Sequence, residues 1–71
     1  MAKKINGYTV EFIAEYRDMM VEDAIQNALG AEKAGMPETA EFWDILVDEY
    51  RDKTDEEITF KMITRGVRRN G

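Results

Sequence analysis

The sequence predicts an all-α fold: an antiparallel helical hairpin plus a third, C-terminal helix, a small three-helix bundle completed by dimerisation. Three observations carry this. Apolar residues recur at three- and four-residue steps from Val10 to Ala34, the 3.6-residue period of a helix. Pro37 and Thr54 each open a further stretch of helical pattern. The longest period-two alternation, Tyr8, Val10 and Phe12, covers only five residues and leaves an N-terminal strand as no more than an alternative.

The elements follow in order. Residues 1–8 precede any helix signal and are expected to fray, with Asn6-Gly7 a turn signal. Thr9 suits an N-cap, and Tyr8 before it can staple onto Ile13, so the first helix is placed at 10–34. Phe12, Ile13, Tyr16, Met19, Met20, Ala24, Ala28, Ala31 and Ala34 mark its apolar side; Gly30 costs only about 1 kcal/mol and does not break it. Gly35 ends it as a left-handed C′ residue. Pro37 fits the first position of a second helix, 37–53, whose expected buried stripe is Phe42, Trp43, Leu46, Val47 and Tyr50. Thr54-Asp55-Glu56-Glu57 is a capping box, the strongest local signal in the chain. It opens a third helix, 55–65, with Ile58, Met62, Ile63 and Phe60 as apolar members, and Gly66 starts a basic tail, 66–71.

Composition narrows the function. With no Cys and no His, disulfides, thiol nucleophiles, imidazole bases and nearly all zinc, copper or haem sites are excluded. The expectation is a protein that is not an enzyme and carries no cofactor. A single core in about 70 residues rarely suffices without a staple, which leaves oligomerisation or a partner. The first helix outreaches the second, so Phe12, Ile13, Tyr16 and Met19 overhang it and are expected to form a homodimer contact, with the third helix covering part of them. No apolar run suits a membrane helix and no apolar stretch follows Met1-Ala2-Lys3-Lys4, so a cytoplasmic protein with no membrane partner is expected.

Four patterns bear on partners. Glu11, Glu15, Asp18 and Glu22 form one row on the first helix, and Glu41, Asp44, Asp48 and Asp52 another on the second. Ordinary solvated faces would account for both rows; what raises a basic protein surface as partner is segregation, since residues 5–59 hold all fifteen acids against four bases. Conversely, Lys61, Arg65, Arg68 and Arg69 gather at the C-terminus, where the helix dipole attracts cations; if the helix ran on through Gly66, Lys61, Arg65 and Arg68 would share a face able to touch nucleic acid. Glu15-Tyr16-Arg17-Asp18 recurs as Glu49-Tyr50-Arg51-Asp52, which we attribute to a shared packing solution, each Tyr at the core edge. Met19, Met20, Met36 and Met62 with Trp43, Phe42 and Tyr50 read as core, or as an adaptable binding surface.

The leading expectation is therefore a small acidic, non-enzymatic regulator or inhibitor that occupies a basic surface of a larger protein, in the manner of nucleic-acid charge. In type it is similar to the small early proteins by which bacteriophages inhibit host enzymes or defence systems. One alternative is a nucleic-acid-associated protein using the basic tail. Another is a Mg²⁺-dependent hydrolase, since Glu38-x-x-Glu41 and Glu49-x-x-Asp52 resemble the carboxylate pairs of the all-α nucleotide pyrophosphatases.

Overall fold

The structure, a computed structural model, describes residues 3–69. Two short strands, β1 (Lys4–Ile5) and β2 (Tyr8–Thr9), precede three helices, α1 (Val10–Lys33), α2 (Pro37–Asp52) and α3 (Asp55–Thr64). Each helix stops one residue before its expected end, at the residue that serves as C-cap: Ala34, Lys53 and Arg65. No described helix is long and apolar enough to cross a membrane.

The expected fraying of residues 1–8 is corrected for residues 3–8; Met1 and Ala2 lie outside the described residues. β1 and β2 pair antiparallel with Lys4 opposite Thr9 and Ile5 opposite Tyr8. Asn6 (φ 52°) and Gly7 (φ 88°) make the two-residue turn with positive φ at both positions, which matches the twist of a hairpin. The hairpin holds because tertiary contacts seize it. Tyr8 is fully buried and its hydroxyl donates to the Val67 carbonyl at 2.6 Å. Asn6 Nδ2 donates to Thr59 Oγ1 at 2.8 Å, and Thr59 Oγ1 donates to the Glu56 carbonyl, so the buried threonine is satisfied on both sides.

Caps define the helices. Thr9 Oγ1 accepts from the Phe12 amide, and both halves of the Thr54–Glu57 capping box are made. Gly35 and Gly66, both with φ near +74° or +73°, close α1 and α3 by the same device. The Gly35 amide donates to Glu32 O and Met36 N to Ala31 O; Gly66 N donates to Ile63 O and Val67 N to Met62 O. These paired bonds satisfy the last carbonyls and turn the chain sharply.

The core sits at one end of a molecule measuring 47 × 20 × 18 Å. Tyr8, Ile13, Tyr16, Tyr50, Ile58 and Met62 form it, with Ile5, Phe12, Met20, Val21, Leu46 and Val67 packed around them. Beyond it α1 and α2 continue together as a two-helix arm whose buried residues are mostly small: Ala24, Ala28, Ala31, Ala40 and Val47. Of the overhang expected to need a second chain, Ile13 and Tyr16 are covered by this chain's own hairpin, α3 and Val67, Phe12 is half-buried and Met19 stays exposed. Three apolar assignments change. Phe42 stands outside the α2 stripe at 51 % exposure, and Phe60 and Ile63 are exposed on α3, where Ile58, Thr59 and Met62 are the buried residues.

Candidate protein-docking surface

The eight acids of the two rows, Glu11, Glu15, Asp18, Glu22, Glu41, Asp44, Asp48 and Asp52, are all exposed. They do not form one surface. At about 100° per residue, the α1 row lies about 160° round the helix from the buried stripe Ile13, Tyr16, Ala24, Ala28 and Ala31. The α2 row lies about 120° from Ala40, Val47 and Tyr50. Because those buried stripes are where the helices meet, the rows face away from each other.

What unites the acids is position along the molecule. From Val21 to Glu49, the arm together with the turns that join it to the core, the chain carries eight acids and one base, Lys33; the remaining residues carry seven acids and nine bases. All eight arm acids are exposed. On α2 a second stripe runs beside the acidic row: Glu38, Phe42, Ile45 and Glu49 at steps of four, three and four. Phe42 and Ile45 (60 % exposed) are thereby bracketed by carboxylates at each end, with Glu41 and Asp48 one turn either side of Ile45. Glu49 is partly neutralised by Lys53, whose Nζ lies 3.1 Å from Oε1. The Trp43 ring sits 5.7 Å from the Phe42 ring at a tilt of 56°.

The expected self-association residues part company. Ile13 and Tyr16 are buried within their own chain, Phe12 is half-buried, and Met19 alone stands out, 55 % exposed. Phe12, Tyr16, Met19 and Val67, with Glu15 at the rim, line an open cleft of about 330 Å³. Of the other methionines, Met62 is core, Met20 packs against it and Met36 is exposed at the arm's tip.

The basic tail does not present a continuous helical face. α3 ends at Thr64 and Gly66 reverses the chain, so Lys61, Arg65 and Arg68 do not share one helix. Instead Val67 packs on the core and Arg69 Nε donates to the Asn6 carbonyl at 3.0 Å. Arg65 turns inward to Tyr16 Oη (3.4 Å) and Met20 Sδ (3.2 Å), and the Tyr16 contact raises its pKa further. Lys61 lies over the Tyr50 ring, 5.5 Å from its centroid. Arg68 is exposed, while Asn70 and Gly71 lie outside the described residues.

The two carboxylate pairs at Glu38/Glu41 and Glu49/Asp52 sit at opposite ends of α2, roughly 16 Å apart along its axis. Among the described residues no three acids converge as a metal site would require.

The repeated Glu-Tyr-Arg-Asp tetrapeptides meet at the core, since Tyr16 and Tyr50 both belong to it. Sequence reasoning missed the role of Arg17. Its guanidinium donates to the Tyr50 carbonyl at 2.7 Å and the Arg51 carbonyl at 3.3 Å, and pairs with Asp55 at 2.9 Å. It therefore joins α1 to the C-terminus of α2, where the helix dipole favours a cation, and to the carboxylate of Asp55 in the first turn of α3, where the dipole favours an anion. Phe42 was read as core or as part of an adaptable surface, but Ile45 and the exposed stripe joining the two were missed, although the steps of four and three from Glu38 to Glu49 carry the signal.

The fold is a small helical bundle with an N-terminal β-hairpin and an acidic two-helix arm. Comparison with known proteins found no matching family model, no matching curated protein and no matching solved structure.

Proposed function

We propose that this protein is a non-enzymatic binding module, a regulator or inhibitor of the phage type, whose acidic arm occupies a basic surface on a larger protein. The observation that carries the reading is the arm's charge: eight exposed acids against a single lysine over Val21–Glu49, while nine of the ten bases lie elsewhere. An imbalance of that size creates a long-range field that attracts and orients a cationic partner and repels an anionic one.

The diverging rows allow the reading to be tested by halves. Asp44→Lys/Asp48→Lys on α2 and Glu15→Lys/Asp18→Lys on α1 should both keep the helix content of the parent, because exposed charges add little to stability. Capture of the basic partner should fall steeply for the α2 pair and little for the α1 pair, which lies nearer the basic end. Native binding should weaken as salt shortens the Debye length from about 10 Å at 0.1 M to about 3 Å at 1 M. Full binding by the α2 double variant overturns the proposal.

A second reading, homodimerisation, rests on the cleft at Phe12, Tyr16, Met19 and Val67, whose exposed member is Met19. A dimer through this cleft gives twice the 8.2 kDa chain mass by light scattering. Met19→Glu should return it to the monomer.

A further inference from the structure

We propose that the partner segment is a cationic amphipathic helix, anchored by apolar side chains on Phe42 and Ile45 and held in register by the carboxylates around them. The inference rests on the acidic-arm reading and adds to it which face is used and what chemistry the partner must have. Phe42 and Ile45 are more than half exposed on a helix whose buried stripe is already occupied by α1, so their exposure is not a shortage of packing inside the chain. They sit on adjacent turns, the spacing that a facing helix fills with one or two apolar side chains. Charge decides the occupant. Glu38, Glu41, Asp48 and Glu49 surround the pair, and in α2 the one base, Arg51, lies a turn and a half beyond Ile45. A second copy would bring the same carboxylates together around the anchor and be repelled; a bare polycation would satisfy the carboxylates and leave the two side chains in water. A helix with Lys or Arg flanking an apolar stripe satisfies both.

The probe is an amphipathic Leu/Lys helical peptide, compared with a scrambled peptide of the same composition whose leucines cannot line one face, each titrated into the intact protein. Trp43, the single tryptophan, reports through its emission because its ring is 5.7 Å from that of Phe42. The amphipathic peptide should bind at least tenfold tighter than the scrambled one and shift Trp43 emission to the blue. Phe42→Ala/Ile45→Ala should erase that preference, with helix content kept, since alanine favours helix and neither side chain belongs to the core cluster. Equal affinity of the two peptides for the wild type, which needs no variant, overturns the anchor, as does a preference that survives the double substitution. If such binding remains salt-sensitive and is lost in Asp44→Lys/Asp48→Lys, the acidic-arm reading stands without the anchor; if neither peptide binds, both fall. A drop from dimer to monomer mass on Phe42→Ala/Ile45→Ala assigns the face to a second copy and overturns the proposal.

Discussion

Arg17 shows how one side chain fixes the relative placement of three helices. An exposed arginine on a helix face ordinarily does little, yet here the planar guanidinium has two carbonyls of the α2 terminus on one nitrogen and a carboxylate of α3 on the other. The carbonyls at a helix C-terminus lack intrahelical donors, so a cation there answers both an unmet hydrogen-bonding need and the dipole. Arg17→Met keeps most of the aliphatic stem and removes the fork. It should destabilise by about 1–2 kcal/mol, the scale of lost hydrogen bonds to a charged group that is partly solvated. For a domain this small the thermal midpoint should fall by about 4–8 °C per kcal/mol. Arg17→Lys should recover only part of the loss, because an ammonium on one carbon stem cannot reach both helix ends at once. An unchanged midpoint for Arg17→Met would mean that the fork is exchanged for water without penalty.

At the scale of elements, legibility followed locality. Thr9, Pro37, Thr54, Gly35 and Gly66 act on residues within a turn of themselves, and each marks its helix boundary to within one residue. Of the N-terminal hairpin only the Asn6-Gly7 turn and an alternative strand at Tyr8 were legible; its pairing was not, because two-residue strands carry no periodicity and Tyr8 is held by Val67, fifty-nine positions away. The acids' exposure could be read from their spacing. Their divergence onto two faces could not, since it depends on which stripe each helix buries against the other. The capping box of α3 makes a pH prediction. Hydrogen bonds from the Thr54 backbone and then its hydroxyl hold the Glu57 carboxyl below its ordinary pKa. A carboxyl depressed in the folded state contributes stability that is fully present above its unfolded pKa and is lost as pH falls through the folded value. Glu57→Gln can still reach back to the Thr54 amide but does not titrate. The wild type should therefore exceed the variant in thermal midpoint at neutral pH, with the gap closing as pH drops below the ordinary glutamate range. A gap constant with pH would show that Glu57 acts there by shape and not by charge.

On the scale of the whole molecule, stability and charge are distributed in opposite senses. The end holding Tyr8, Ile13, Tyr16, Tyr50, Ile58 and Met62 buries large side chains and carries most of the bases; the arm buries chiefly alanines and carries most of the acids. An alanine removes little apolar area from water when buried, whereas a buried Ile, Met or Tyr is worth about 1.5–3 kcal/mol or a similar amount. Like-charge repulsion along the arm opposes even that modest gain. The arm should consequently open without the rest of the molecule unfolding. Native-state hydrogen exchange should find amides in residues 25–33 and 40–45 at least tenfold less protected than those in 13–20 and 58–62. Gly30→Ala offers an independent handle, since a Cβ there meets no atom within 4 Å and Gly30 has ordinary helical backbone. The substitution should stabilise the arm by about 0.5–1 kcal/mol through backbone entropy alone and raise protection there severalfold, leaving the core end unchanged. Uniform protection along α1, or an equal rise at both ends, would mean that the molecule opens only as one unit and that the alanine seam is as strong as the core.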